Sequence, residues 1–292
     1  MGAGENFLLC SSAPLLPDNT MKLSFVISTQ PTRFQAVAFD PDFESNVARL
    51  GALGYDGVEL AVRDPASLDV ARVKRVLDAQ HLIVPAIGTG QAYVEEQLSL
   101  TDRRAAVRDQ AMARLESHVA LAREFGALVI VGLIRGSAGT LAEAPSRDQT
   151  RAWLIDALKH LAQVAGAQGV RLAIEPINRY ETNLINTVAD ALALIDAISA
   201  DNLGVLFDTF HANIEEPSIE TSLRACGARL FHVHVADSNR WAPGAGHTDF
   251  ERIIAVLCEM KYAGWVSAEI LPMPDARRAA EQAIQTIKPL LK

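Results

Sequence analysis

Four side chains able to bind a metal or move a proton each close a short apolar run in the second half of the chain. Glu175 follows Leu172-Ala173-Ile174, Asp208 follows Leu206-Phe207, His234 follows His232-Val233, and Glu269 follows Ser267-Ala268. An ionised group at the end of a buried segment is costly unless something neutralises it. One divalent cation shared by all four would remove that cost. Three carboxylates and one imidazole suit Mn2+, Mg2+ or Co2+, with Mn2+ the first choice, and suit structural zinc poorly. Any one of these residues alone could be a helix cap or an ion-pair member; the succession of four points to one centre. Glu175 and Glu269 add a second chemistry. On opposite faces of a bound carbonyl compound, one carboxylate removes the proton beside the carbonyl and the other returns one from the far side. The enediolate between the two steps would be stabilised by the cation.

Polar residues follow these positions at short spacing. His211 lies three residues after Asp208, Arg240 six after His234 and Glu181 six after Glu175. On loops above a site such residues orient substrate, and the bland alternative is solvated loop charge. Arg135, in Gly132-Leu133-Ile134-Arg135-Gly136, and Arg63 are candidates to grip a substrate carboxylate or phosphate in a bidentate fork. Trp241 and Tyr93 could pack on the apolar face of a sugar. The run Pro243-Gly244-Ala245-Gly246-His247 is a candidate to close over the site or to bind phosphate. His232, two residues deeper than His234, reads as a core histidine rather than a ligand.

The elements that must position these residues repeat from Lys22 to the end of the chain: an apolar run, a polar or glycine-rich turn, then helical spacing. The pattern predicts strands at about Leu23–Ser28, Gly57–Ala61, Leu82–Ile87, Leu128–Leu133, Val170–Ile177, Gly204–Asp208, Leu230–Val235 and Trp265–Ile270. Helices are expected at about 43–53, 66–80, 102–125, 149–167, 187–199, 217–226, 248–261 and 275–291. Eight such units without a break in composition predict a single α/β domain, a (β/α)8 TIM barrel over residues 21–292, preceded by a dispensable extension at 1–20. An open doubly wound sheet is disfavoured, because no strand runs into a GxGxxG turn; Gly88-Thr89-Gly90 lacks the third glycine. In a barrel, function collects at the C-terminal strand ends, where the four residues lie.

Composition agrees with an enzyme acting on a small molecule. The 292 residues carry a net charge of −8, which argues against a nucleic-acid partner and against a polybasic membrane anchor. Cys10, Cys226 and Cys258 show no paired spacing and fit a reducing compartment. With neither a membrane-length apolar run nor a basic n-region at the N-terminus, the expected location is the cytoplasm.

Glu175, Asp208, His234 and Glu269, with Asp208-Thr209-Phe210-His211 and Ser238-Asn239-Arg240 beside them, resemble the xylose-isomerase-like barrels, and among these the ketose 3-epimerase branch of the D-tagatose 3-epimerase type. The resemblance covers nearly everything after Met21. It implies one metal ion on those four residues, Glu175 and Glu269 as the acid–base pair, and His211, Arg240 and Glu181 on substrate oxygens. It also implies a homodimer or homotetramer. Met21–Thr29, Ala86–Tyr93, Gly132–Gly136, Glu175–Glu181 and His234–His247 are similar to the 5-keto-L-gluconate epimerases of that branch. That similarity implies a keto-uronate substrate, 5-keto-L-gluconate or D-tagaturonate, which would give Arg135 and Arg179 an anion to bind. Ala212 departs from the pattern, since many relatives carry Met there, and a smaller residue could widen the pocket. Alternatives using the same residues are a ketose 3-epimerase and an aldose–ketose or hydroxypyruvate isomerase. More remote are a sugar-binding barrel without turnover and DNA repair of the endonuclease IV type. The last needs further ligands from strands three and four, whose ends read Gly88-Thr89-Gly90 and Val131-Gly132-Leu133.

Overall fold

A computed structural model describes residues 20–38, 41–139 and 145–291. The proposed extension at 1–20 lies outside them except for Thr20. Eight parallel strands close into one barrel in sequence order. They are β1 (Lys22–Ser28), β2 (Gly57–Ala61), β3 (Ala86–Gly88), β4 (Leu128–Val131), β5 (Leu172–Ile174), β6 (Leu203–Asp208), β7 (Leu230–His234) and β8 (Trp265–Ala268). The helices are α1 (Phe43–Leu53), α2 (Val70–Ala79), α3 (Gly90–Glu96), α4 (Ala105–Phe125) and α5 (Arg147–Ala167) in the first half. In the second half they are α6 (Val188–Ile198), α7 (Thr209–Glu215), α8 (Ile219–Cys226), α9 (Phe250–Glu259) and α10 (Ala276–Ile287). The single closed barrel read from the pattern is the fold found.

Strands β4, β7 and β8 stop one or two residues before the ends expected for them, while β3 and β5 are shortened most, and in those two proline interrupts the ladder. Pro85 has no N–H to donate, so the run from Leu82 keeps one bridge, Ile83 to Gly57, before β3 proper starts at Ala86. Pro176 likewise ends the ladder of β5, although Glu175 N–H still reaches the Val131 carbonyl at 3.4 Å. Two short helices were not expected. The first, α3, fills the connection after β3. The second, α7, starts at once after β6, because the Asp208 carboxylate accepts from the N–H groups of Phe210 (2.7 Å) and His211 (3.2 Å).

Side chains alternate along each strand, and the inward set divides the barrel interior in two. Under β3–β6 it is apolar: Ala86, Leu128, Ile130, Ala173 and Leu206 pack together. Deep under β1, β2, β7 and β8 it is polar, with Ser24, Glu59, His232 and Ser267 all buried, while nearer the rim Val26 and Ala61 belong to a small apolar cluster. The outward set, including Leu23, Leu60, Val129, Ile174, Val233 and Val266, forms the main core against the helices. The same period of two carries the inward face from Ala173 to Glu175, Leu206 to Asp208, His232 to His234 and Ser267 to Glu269. All four candidate ligands therefore emerge inside the C-terminal rim.

Packing at the opposite end leaves little room for change. A Cβ on Gly57 would stand 2.5 Å from the Ile83 carbonyl oxygen and 2.7 Å from the Trp265 ring. Gly57→Ala is expected to cost about 1–3 kcal/mol through overpacking. A thermal melt should show Tm falling by several degrees, with metal affinity of the folded protein unchanged.

Candidate metal centre

The four strand-end residues converge. Each of Glu175, Asp208, His234 and Glu269 offers one ligand atom, and these atoms lie within 4.8 Å of one another. His234 Nδ1 stands 3.7 Å from Asp208 Oδ2, 3.7 Å from Glu269 Oε2 and 3.8 Å from Glu175 Oε1. These spacings exceed a hydrogen bond. They match donors about 2.1 Å from a shared ion. His234 Nδ1 and Glu175 Oε1 are also buried without a hydrogen-bond partner, an arrangement that a divalent cation would satisfy.

Three of the four candidate ligands are supported from behind. Asp208 spends one oxygen capping α7 and leaves the other facing His234. Glu175 lies against Gly132, where a Cβ would come within 2.6 Å of its Oε2. His234 is held by Glu59, a fully buried carboxylate on β2 that the sequence reading missed. Glu59 accepts from His234 Nε2 at 3.0 and 3.2 Å and from His232 Nε2 at 2.8 Å. With the proton on Nε2, the lone pair of Nδ1 faces the carboxylate group, as a metal-ligating imidazole requires. The available signal was a single Glu inside the otherwise apolar run Gly57–Ala61. His232 lies deeper in the barrel, paired with Glu59 through Nε2 while its Nδ1 is buried without a hydrogen-bond partner.

The electrostatics follow from crowding charges out of water. Burial and the nearby Glu269 raise the Glu175 pKa well above the carboxylate range. Burial likewise pushes Glu269 up to about 7, against the pull of His234 and Arg240. Burial opposes ionisation of Asp208 too, but His211, His234 and Arg240 bring it to about 2. Burial would keep His234 neutral, yet Glu59 and Glu269 around it raise its pKa well above the ordinary imidazole value. Without an ion, the centre therefore holds protons that a cation would displace.

A cleft opens above this cluster, lined by Glu175 and Glu269 together with Glu181, His211 and Arg240. Proton bookkeeping sets the role of His211. Asn178 Oδ1 accepts from Tyr180 N–H (2.9 Å), so its amide NH2 faces Glu181 Oε1 and His211 Nδ1, both at 2.8 Å. His211 therefore carries its proton on Nε2, which stands 3.8 Å from Glu175 Oε1. Burial lowers its pKa to about 4, so it is a neutral donor. Arg240 pairs with Glu181 at 2.8 Å and approaches Glu269 at 3.6 Å, its guanidinium 5.0 Å from the centre of the Phe210 ring.

Other candidates are placed elsewhere. Arg135 was expected on substrate, but its side chain is completely buried and donates to three carbonyls: Leu184 (3.0 Å), Gly132 (2.8 Å) and Ile185 (3.1 Å). It clamps the loop after β5 that carries Asn178 and Glu181. Arg179 forms a bidentate pair with Glu215 at 2.8–2.9 Å, and Arg63 lies 3.6 Å from Glu96. Tyr93 packs on the main core and Trp241 is 37% exposed; neither lines the cleft. The 243–247 loop is folded around an internal anion. Asp237 Oδ1 accepts from Ser238 (2.7 Å) and Thr248 (3.1 Å), and Oδ2 accepts from Gly244 (2.8 Å). Donors suggested for a phosphate are already committed. Ala212 is buried beside His211 in α7.

Comparison with known proteins agrees with this geometry. Residues 47–290 match the family model described as xylose isomerase-like TIM barrel. An L-ribulose 3-epimerase of Mesorhizobium japonicum is 33% identical over 239 residues, covering 81% of this chain and 78% of the relative. A solved L-ribulose 3-epimerase superposes with a TM-score of 0.79 at 28% identity, covering 93% of this chain and 94% of the other. A D-allulose 3-epimerase from Methylomonas sp., solved with D-allulose, gives 0.77 at 27% identity over 92% and 97%. A closed eight-stranded barrel, four convergent ligands and these matches together make the chain a member of the xylose isomerase-like TIM barrel family.

Proposed function

We propose that this protein is a metal-dependent ketose 3-epimerase, inverting the carbon next to the carbonyl of a keto sugar through an enediolate. The observation that carries this reading is the pair Glu175 and Glu269, approaching one small space from β5 and β8 while sharing the candidate ion site. The names of the relatives support it, being those of 3-epimerases that act on L-ribulose or D-allulose. The keto-uronate reading leaned on Arg135 and Arg179 as grips for a carboxylate. Both are engaged within the protein, so a neutral ketose is the favoured substrate class.

Glu175, Asp208, His234 and Glu269 would hold the divalent ion, which supplies positive charge to polarise the carbonyl and the neighbouring hydroxyl. Inversion needs one carboxylate ionised and its opposite protonated. Two buried like charges hold a proton between them, which favours that mixed state. Glu175 takes the C3 proton from one face and Glu269 delivers a proton to the other; the reverse direction exchanges the roles. His211 donates its Nε2 proton to a substrate oxygen as negative charge develops there. Arg240 contributes charge against the same oxygens and holds Glu181 in place.

Ketoses incubated in heavy water should gain one deuterium at C3 in both epimers, read by NMR. Label at C1 alone would replace this reading with aldose–ketose isomerisation, and faster turnover of keto-uronates would restore the acidic substrate. Glu269→Gln should lower kcat by about 100-fold to 10,000-fold with little change in the far-ultraviolet spectrum. Full turnover by that variant would remove the acid–base role.

The metal has its own pH signature. Glu269 has a folded pKa raised to about 7, so the metal-free fold is stabilised by its proton below the unfolded value near 4.5 and loses that contribution as pH rises through 7. A cation binds the ionised form. The increase in Tm on adding Mn2+ should therefore grow between pH 5.5 and pH 8. A constant or shrinking increase would count against the ligand set.

A further inference from the structure

One buried polar atom in the cleft has no role in the chemistry above. Gln91, at the start of α3, is 1% exposed, and its Oε1 has no hydrogen-bond partner. The residue lines the same cleft as the ligands, from the side formed by β1–β3, beside Val26, Phe34 and Ala61. An unpaired buried acceptor of this kind costs free energy until a donor arrives.

The amide cannot simply turn round. Ser28 Oγ accepts from Gln30 N–H (3.2 Å) and from Gln91 Nε2 (2.7 Å), while its own proton goes to the Gln30 carbonyl. Both lone pairs and the hydrogen of Ser28 are thus used. If Gln91 flipped, two acceptors would face each other across 2.7 Å. Ser28 therefore fixes Nε2 inward and leaves Oε1 as the group presented to a ligand.

We propose that Gln91 is a specificity-determining residue whose Oε1 accepts a hydrogen bond from a hydroxyl on the non-reacting end of the sugar, with Ser28 positioning it. The inference rests on the epimerase reading, which places the carbonyl end against β5–β8. The remaining carbons then extend toward β1–β3, where Val26, Phe34 and Ala61 offer apolar contact and Gln91 offers the acceptor. An acceptor selects for a hydroxyl donor. It disfavours a carboxylate or phosphate at that position, in keeping with a neutral ketose.

The test compares a ketohexose with its 4-, 5- and 6-deoxy analogues on wild type, Gln91→Leu and Ser28→Ala, with Mn2+ affinity and Tm recorded for each protein. Wild type should prefer the parent over one of the analogues by about tenfold to a hundredfold in kcat/KM. In Gln91→Leu that preference should collapse toward unity through a rise in KM for the parent, with Mn2+ affinity unchanged. Ser28→Ala, which frees the amide to rotate, should reduce the preference in the same direction. It serves alone should Gln91→Leu fail to fold. An unchanged preference for every analogue in the folded variants overturns the role of Gln91 and leaves the epimerase reading intact. A wild type that epimerises no ketose removes both.

Discussion

Three carboxylates and an imidazole, brought within 4.8 Å of one another inside the rim of a barrel, are the constraint that the surrounding structure answers. Like charges this close, away from water, repel strongly. Part of the answer is positive charge: Arg240 stands in the cleft, and Arg135 lies buried behind Glu175. Part is orientation. Glu59 turns His234 so that a lone pair meets the carboxylates, and the cap of α7 takes one oxygen of Asp208. The remainder fits a cation. On the proposed mechanism the same repulsion serves the chemistry, because carboxylates that resist ionising together readily divide one proton between them.

How much of this could be read from sequence depended on whether a residue's role is local or long-range. The barrel was legible because each strand–helix unit repeats a local pattern, and the ligands because they end apolar runs at the functional face. Prolines 85 and 176 trimmed their strands through a local effect visible in the sequence, although the apolar runs concealed it. Roles that depend on partners far along the chain were not legible. Glu59 is 173 residues from His232 and 175 from His234. Nothing near Gly57–Ala61 shows that two histidines close on it.

The arginines show the same limit. A guanidinium following a strand at the rim reads as an anion grip, yet Arg135 turns back into the protein and satisfies three carbonyls of irregular backbone. Such carbonyls are costly if left bare, so its charge supports a loop. Asp237 does the converse for the loop after β7, its carboxylate gathering backbone N–H groups that would otherwise point outward. In both cases a charged residue acts as an internal scaffold for the chain that carries Glu181 or Arg240.

The split of the barrel wall into unlike sectors has a consequence for how such a protein diversifies. The four candidate ligands, the proposed proton-transfer pair among them, come from residues 175 to 269, whereas Gln91, Phe34 and the apolar surface beside them come from the first hundred residues. Substitutions there that spare Glu59, which orients His234, can reshape the wall of the cleft while the four strand-end residues keep their alignment. A lineage built this way can vary its cleft through piecemeal drift in its N-terminal half, with Glu59 held fixed and the strand-end cluster left intact.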